Sequence, residues 1–436
     1  MALALLWGEG ACPADRTLHN RSINRNDDQI NMKILYFHQH FTTPSIGGGT
    51  RSYEFARKLI ERGHKVTMVC GETTKLNLPP AGVKGLYRGD VDGIDVIQIN
   101  LPYSNSDGIA KRALIFVKFA WKGIQIAMKE EYDLLFATST PLTAGLPGIW
   151  MKWFARKKKK FVFEVRDLWP ELPKALGMKN PFLLWGMGVL EKLSYKKADA
   201  CIGLSPGICE GIQKIVPDKK VELVPNGCDL EIFRPGKRED LQLEGVLPTD
   251  TVAVFTGAHG IANGLEAVLD MALELNQRGR NDIKIAFIGN GRVKPDLVKR
   301  ADKDGLDNCL FFDPVPKTVL NKIVSSADIG LMVLKNVPAF YYGTSPNKFF
   351  DYIASGLPVV NNYPGWLSDM INENNCGLVV APDNAEAFAD ALIYLADHPE
   401  ERHTMGDNSR ILAEKQFSRE DLSDNFVEFL EKVAQS

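Results

Sequence analysis

Residues 342–360 read YGTSPNKFFDYIASGLPVV, and this stretch combines a helix start with a buried strand. Pro346 and Asn347 are typical of the first positions of a helix. The apolar side chains at 349, 350, 353 and 354 indicate that this helix is largely buried. The run at 358–360 predicts a strand directly after it. A helix that leads straight into a buried strand favours an α/β fold with parallel sheets.

Two charged side chains on this helix are candidates for ligand binding. Lys348 falls in the first turn, where the helix dipole already favours an anion, so it suits a pyrophosphate. Asp351 lies one turn later on the same face, where its carboxylate can accept both hydroxyls of a ribose. A Lys–Asp pair at this spacing is also common on solvated helix surfaces. The buried character of the helix favours the binding role over the surface pair.

The alternation of apolar β-type runs with helical patterns extends outward over the whole chain. A first set of predicted strands covers 33–38, 66–70, 94–99, 134–137, 161–165 and 201–204. A second set covers 252–256, 283–288, 310–312, 329–333, 358–360 and 378–380. This pattern predicts two Rossmann-like, doubly wound parallel sheets. Two such sheets face to face would place a ligand in the cleft between the carboxyl ends of their strands.

Turn-rich segments divide the chain into domains. Residues 1–31 show no periodic pattern and are predicted to be a disordered extension. We expect a first domain at 32–224, a hinge at 225–237 and a second domain at 238–416. The last segment, 417–436, predicts a helix that crosses back to the first domain. Its apolar stripe consists of Leu422, Phe426, Phe429 and Val433.

Charge is distributed unevenly along the sequence. The net charge of the whole chain is −2, yet residues 32–205 sum to +11 and residues 206–436 sum to −12. A basic half joined to an acidic half indicates two domains with different partners. The seven cysteines include no C-x-x-C pair, which fits reduced thiols in a cytoplasmic protein. No apolar run reaches the length of a transmembrane helix.

Glycine-rich turns follow predicted strands in both halves. Glycine allows backbone N–H groups to approach an anion closely, and a helix start adds partial positive charge. Each turn alone is also compatible with a flexible loop that binds nothing. Their shared position at strand ends favours a diphosphate site. The candidate donor-binding residues are Gly48, Gly49, Gly257, His259, Gly260, Asn263, Gly289, Gly291, Arg292, Ser345, Lys348 and Asp351.

Together these motifs resemble glycosyltransferase family 4, and within it the WbuB-like branch. The similarity runs from about residue 32 to the last helix and rests on four stretches in order. They are the turn RDLWPE at 166–171, VPNGCD at 224–229, FTGAHGIANGL at 255–265 and the stretch at 342–360. Two positions where the family carries glutamates hold Gly343 and Asp351. Two positions where many members carry Arg and Lys hold Ala258 and Asn263.

The resemblance implies the GT-B fold and a retaining transfer of sugar from a nucleotide-diphosphate donor. It implies UDP, an N-acetylated deoxysugar such as N-acetylfucosamine, and a lipid-linked or glycan acceptor in surface polysaccharide synthesis such as that of lipopolysaccharide O-antigen. Retaining chemistry of this kind needs no protein nucleophile, because the leaving phosphate itself takes the acceptor proton. Neither a cofactor nor a metal is implied, since no Asp-x-Asp motif ends a strand at the donor site. The candidate catalytic residues are Lys348, Arg166, Asp167 and Glu171.

A second basic feature lies away from the predicted cleft. Residues 109–129 predict a helix that mixes lysines with large apolar side chains, and the segment 150–160 adds tryptophans to a run of basic residues. This composition is typical of a peripheral contact with an anionic membrane surface at the cytoplasmic face. A solvated helix face fits the same composition. Nucleic acid is a weaker candidate, because the second half is acidic and no recognition motif is present.

Two other functions fit the same sequence. Sugar-nucleotide epimerases also use two facing Rossmann domains, and His38, His40 and His259 supply acid–base groups. A non-catalytic sugar-nucleotide-binding protein would need a degenerate donor site, for which Gly343 and Ala258 leave room. Release of free nucleotide that depends on an acceptor distinguishes the transferase from both.

Overall fold

A computed structural model describes residues 31–46, 49–72, 76–103, 107–155, 159–341 and 343–436. The predictions for residues 1–30, Gly48, Lys157 and Lys158 fall outside these ranges. The described part of the chain forms two sheets, one of eight strands and one of six.

The first domain is built on the eight-stranded sheet. Its strands are β1 (Lys33–Phe37), β2 (Lys65–Glu72), β3 (Leu86–Val91), β4 (Ile94–Pro102), β5 (Leu134–Thr138), β6 (Lys160–Val165), β7 (Ala200–Gly203) and β8 (Val221–Leu223). Its helices are α1 (Arg51–Glu61), α2 (Ile109–Lys129), α3 (Leu146–Phe154), α4 (Glu171–Ala175), α5 (Pro181–Lys197) and α6 (Pro206–Ile215). The strand order is β3-β4-β2-β1-β5-β6-β7-β8.

The second domain repeats the scheme with six strands. They are β9 (Thr251–Thr256), β10 (Ile283–Ile288), β11 (Cys309–Phe312), β12 (Ile329–Met332), β13 (Val359–Asn361) and β14 (Gly377–Val379), in the order β11-β10-β9-β12-β13-β14. Its helices are α7 (Glu266–Gln277), α8 (Lys294–Asp304), α9 (Lys317–Ser325), α10 (Pro338–Tyr341), α11 (Asn347–Ala354), α12 (Trp366–Glu373), α13 (Ala385–Asp397) and α14 (Pro399–Gln416).

The prediction of two parallel sheets is confirmed, with one exception at an edge. All pairs in both sheets are parallel except β3 with β4, which is antiparallel. The central strands are buried on both faces; in β1, every residue after Lys33 is buried. Strands buried in this way read as continuous apolar runs, which is why the sequence pattern identified them. Strands β3 and β8 were not predicted, because β3 is only half-buried and β8 has three residues.

The last helix, α15 (Arg419–Gln435), returns to the first domain as predicted. The ring of Phe426 stacks on that of Phe55 in α1, with centroids 4.1 Å apart. At the start of α15 the backbone pairs with the linker, since Cys228 N–H donates to Phe417 O at 2.7 Å and Arg419 N–H donates to Cys228 O at 3.0 Å. The C-terminal helix therefore contacts the first domain through Phe426 and the linker between β8 and β9 through its first residues.

Helices α2, α3 and α5 form one layer on the first sheet, because α3 packs against both of the others. Helix α1 packs instead with α15. Within the described residues, no helix is long and apolar enough to cross a membrane.

Candidate active site

A cavity of about 570 Å³ lies between the two sheets, and residues of both domains line it. This volume falls in the range of roughly 300–1,000 Å³ that is usual for small-molecule sites. The first domain contributes the start of α1, the linker contributes 225–227, and the second domain contributes the loops after β9 and β10 together with α9 and α11. The carboxyl ends of β9 and β10, at Thr256 and Ile288, thus border the cavity, which is where an open parallel sheet is expected to bind a ligand.

Lys348 lies in the first turn of α11 and lines the cavity. Its Nζ lies 3.9 Å from the centroid of the Phe255 ring and donates a hydrogen bond to Asn263 Oδ1 at 3.2 Å. No carboxylate of the described residues forms an ion pair with it. Burial lowers the pKa of this ammonium to about 7. Lys348 is half-buried. A partly desolvated cation without a counter-anion is costly, so the cavity favours a bound anion at this point.

Two glycine turns form the wall beside Lys348. Gly257 follows β9 with φ +117°, and Gly289 follows β10 with φ +148°, conformations that favour glycine. The turns cross so closely that a Cβ on Gly289 would lie 1.9 Å from the carbonyl oxygen of Gly257. A Cβ on Gly257 would lie 3.6 Å from Lys348 Cε. Both turns line the cavity, so its wall presents backbone next to the lysine.

Asp351 lies one turn after Lys348 and lines the same cavity. Burial raises the pKa of this carboxyl to about 6, while Lys317 and Arg419 oppose the shift. These two cations hold Asp229, with Lys317 Nζ at 2.9 Å and Arg419 Nη1 at 3.1 Å from Asp229 Oδ2. The sequence did not identify Lys317 or Arg419, because their partner Asp229 stands far away in the linker.

On the first-domain side, Arg51 is a second feature that sequence analysis missed. Its Nε donates to Glu164 Oε1 at 2.8 Å, and both side chains are buried. Its two remaining nitrogens donate to Pro225 O at 2.6 Å and to Val224 O at 2.7 Å. Arg51 therefore fixes the start of the linker to β6 and α1 at the rim of the cavity.

The structure places the other predicted catalytic residues outside the lining of this cavity. Arg166 follows β6, and its Nη1 lies 3.4 Å from His38 Nε2. Burial raises the pKa of Asp167, against the effect of Arg166. Glu171 is exposed at the start of α4. All three follow β6 in the sequence, and none of them lines the cavity.

The predicted donor-binding residues that the structure describes divide into two groups. Gly49, Gly257, Gly289, Lys348 and Asp351 line the cavity, while Gly260, Asn263, Gly291, Arg292 and Ser345 do not. Asn263 contacts the site through Lys348, and the Ser345 hydroxyl accepts a hydrogen bond from Asn226 N–H at 3.0 Å. Arg292 is exposed.

His259 does not line the cavity. Its ring is fully buried, about 6 Å from the Phe255 and Phe287 rings, and neither nitrogen has a hydrogen-bond partner among the described residues. Burial, with Lys294 and Lys348, lowers its pKa to about 4. The imidazole is therefore neutral near pH 7, and its packing supports the glycine turn.

Within the described ranges, no cluster of three or more His, Cys, Asp or Glu side chains has the arrangement of a metal site. The charged residues that line the cavity are the cations Arg51, Lys317, Lys348 and Arg419 and the carboxylates Glu54 and Asp351. Arg51 is paired with Glu164, and Lys317 and Arg419 are paired with Asp229. Among the described lining residues, Lys348 is therefore the cation that a bound anion would neutralise.

Comparisons with known proteins match both domains. A model described as Glycosyltransferase Family 4 matches residues 46–232, and one described as Glycosyl transferases group 1 matches residues 250–398. The D-inositol 3-phosphate glycosyltransferase of Nocardia farcinica is 28% identical over 43% of this chain and 42% of its own length. The alpha-D-kanosaminyltransferase of Streptomyces kanamyceticus is 24% identical over 42% of this chain and 46% of its own. The chain thus spans less than half the length of these relatives.

Solved structures match over nearly the whole chain. Sucrose-phosphate synthase from Thermosynechococcus elongatus has a TM-score of 0.74 at 18% identity, covering 93% of this chain and 100% of that one. WaaG, a glycosyltransferase involved in lipopolysaccharide biosynthesis, has a TM-score of 0.67 at 16% identity, covering 91% and 99%. HepE from Anabaena, in complex with UDP and glucose, has a TM-score of 0.66 at 15% identity, covering 92% and 100%. The chain therefore has the GT-B fold, and its two domains match glycosyltransferase family models, the first Glycosyltransferase Family 4 and the second Glycosyl transferases group 1.

Proposed function

We propose that the protein is a retaining glycosyltransferase that uses a nucleotide-diphosphate sugar, with UDP as the nucleotide. The observation that carries this proposal is Lys348, a half-buried cation at a helix start that lines an interdomain cavity without a carboxylate partner among the described residues. A diphosphate supplies the missing counter-charge. The UDP bound in the structural neighbour HepE supports the choice of nucleotide.

The donor is proposed to lie along α11. The diphosphate contacts Lys348 and the backbone at Gly257 and Gly289, where the helix dipole adds to the lysine charge. Asp351, one turn further, accepts the ribose hydroxyls. This arrangement uses Lys348 as the main phosphate cation, because Ala258 and Asn263 stand where related enzymes carry basic side chains.

Transfer breaks the bond between the anomeric carbon and the diphosphate oxygen and forms a bond from that carbon to the acceptor oxygen on the same face. The acceptor hydroxyl gives its proton to the departing phosphate oxygen, so the reaction needs no protein nucleophile. Lys348 stabilises the charge that develops on the diphosphate. Arg166, Asp167 and Glu171 are proposed to orient the acceptor from the end of β6, and its reacting hydroxyl keeps its proton for the phosphate.

For the sugar and the acceptor, we propose an N-acetylated deoxysugar and a lipid-linked or glycan acceptor in surface polysaccharide synthesis, as in the WbuB-like branch. A lipid-linked acceptor places the enzyme at the cytoplasmic face of a membrane. Exposed apolar side chains on α2 and α3 support a peripheral contact there, with Trp121 57% exposed and Phe154 64% exposed. Helix α2 carries basic side chains and no acidic ones.

Turnover with a panel of nucleotide sugars tests the proposal. Free nucleoside diphosphate is measured with and without a membrane lipid extract as the source of acceptor. Acceptor-dependent release is expected. An isomerised nucleotide sugar without free nucleotide would identify an epimerase, and tight binding without either product would identify a non-catalytic binding protein.

A further inference from the structure

The outer face of α5 is apolar although nothing in the described structure covers it. Phe182 is 83% exposed, Trp185 72% and Val189 38%, and these residues recur at the spacing of one helical stripe. Leu183, beside the stripe, is 50% exposed. The opposite face of α5 is buried through Ser194 and Tyr195. A helix with apolar side chains on its solvent face as well as its inner face is expected to bind another apolar surface, such as a lipid bilayer or a protein, through its outer face.

The stripe changes character along the helix. Lys192 and Lys196 continue it at the same spacing, and Lys174 and Lys179 lie before its start; all four lysines are exposed. The single acidic residue of α5 is Glu191, which is buried. The exposed part of α5 therefore combines an apolar amino-terminal half with basic residues on either side, and it presents no carboxylate.

We propose that α5 inserts Phe182, Leu183 and Trp185 into the surface of an anionic membrane while the flanking lysines contact lipid headgroups. Tryptophan beside lysine is the composition that suits the interface between hydrocarbon and headgroups. The charge of the stripe selects this occupant over a second copy of the chain, because self-association would bring lysines against lysines. The inference rests on α5 alone and stands whether or not the proposed reaction is correct.

Helix α5 is also joined to the turn that carries Asp167. Glu191 Oε1 accepts a hydrogen bond from Trp169 N–H at 2.9 Å and another from Tyr195 Oη at 2.8 Å. Gly188 lies beneath Pro170, since a Cβ there would lie 3.7 Å from Pro170 Cδ. An inserted α5 therefore holds the proposed acceptor-side turn within one helix diameter, about 10 Å, of the lipid surface.

Vesicle sedimentation with the full chain tests this inference. Phosphatidylcholine vesicles that contain one-third phosphatidylglycerol are compared with pure phosphatidylcholine vesicles. We expect binding to the anionic vesicles, and we expect Phe182→Ser/Trp185→Ser to weaken it roughly tenfold or more. The control variant Leu247→Ser/Ile411→Ser removes two exposed apolar side chains outside the first domain, one in the linker and one in α14, and is expected to bind as the parent does.

Brominated lipids locate the inserted residue. Quenching of tryptophan fluorescence in the parent protein is expected to fall in Trp185→Phe, which keeps an apolar ring and therefore keeps binding. If the protein binds vesicles but quenching is the same in the parent and in Trp185→Phe, the inference would be overturned. Membrane contact would then be made by α2 and α3. Absence of binding, or a dimer in sedimentation velocity that Phe182→Ser/Trp185→Ser dissociates, would overturn it as well. UDP affinity, measured on the same variants, reports on the cavity alone and separates this outcome from failure of the proposed function.

Discussion

Replacing Lys348 by methionine tests the electrostatic argument for the cavity. Methionine retains an unbranched side chain against the Phe255 ring, which the ammonium approaches to 3.9 Å, and removes the charge. Loss of one group that stabilises developing charge typically costs about 2.7–4 kcal/mol, or a hundred- to a thousandfold in turnover. Steady-state turnover of nucleotide sugar measures the effect. Lys322→Met, which removes an exposed lysine of α9, is the matched control and is expected to be neutral.

The pH dependence of donor affinity gives a second, independent signature of the same lysine. In the empty cavity burial lowers the pKa of Lys348 to about 7, and a bound diphosphate raises it again. Below about pH 7 Lys348 is protonated both in the empty cavity and in the complex, so it does not make donor affinity depend on pH. Above about pH 7 binding must take up a proton, and affinity is expected to fall by up to tenfold for each pH unit.

Calorimetric titration with a nucleotide sugar measures this slope, because its diphosphate diester has no proton to lose near neutrality. The slope is expected in the parent protein and in Lys322→Met and is expected to vanish in Lys348→Met. A folded Lys348→Met variant with parental turnover, or with the parental pH slope, would refute the role of this lysine.

Asp351→Ala is expected to weaken donor affinity while leaving the maximal rate nearly unchanged, since a ribose contact is equally strong in ground and transition states; a lower rate at unchanged affinity in steady-state kinetics would contradict this. With its pKa raised to about 6, the Asp351 carboxylate loses charge as pH falls through that value, and donor affinity should fall with it. Arg51→Ala leaves Glu164 buried without its main partner and should lower the free energy of unfolding by about 3–5 kcal/mol in denaturant titration. The double variant Arg51→Ala/Glu164→Gln should recover part of that loss, and additive losses would show that the two side chains are not coupled. Activity is expected to survive EDTA, and a complete loss that magnesium or manganese restores would reveal a metal requirement.

The fold could be predicted from the sequence because its central strands lie between two layers of helices. In β1 and β9 burial on both faces leaves continuous apolar runs that are hard to mistake. Prediction failed at the sheet edge, where β3 includes Arg88 and Asp90 in exposed positions and has no such run. It also failed at β8, whose three residues are too few to show a period.

The part of the site that lies within one helix could also be predicted. Lys348 and Asp351 are three residues apart, so the helical repeat alone brings them to one cavity wall. Arg51 escaped prediction because its partners, the carbonyls of Val224 and Pro225, stand 173 and 174 residues away. No local pattern encodes a contact over that distance.

The predicted role of His259 illustrates a different limit. The glycines around this residue marked a loop at a strand end, which the structure places beside the cavity. A sequence pattern does not say which way a side chain in such a loop points. Here the ring packs near Phe255 and Phe287, and the two preceding residues, Gly257 and Ala258, line the cavity.

Thermal unfolding with a series of uridine compounds tests the central claim most directly, namely that this cavity binds a nucleoside diphosphate. Uridine, UMP, UDP and UDP-sugars are compared at equal concentration, with GDP and ADP as alternatives for the base. A ligand at 100 times its dissociation constant adds about 2.7 kcal/mol to the free energy of unfolding. We expect a nucleoside diphosphate and its sugar ester to raise the melting temperature, the nucleoside to leave it unchanged, and Lys348→Met to abolish the difference. Equal shifts with nucleoside and diphosphate, or no shift with any diphosphate, would contradict the account.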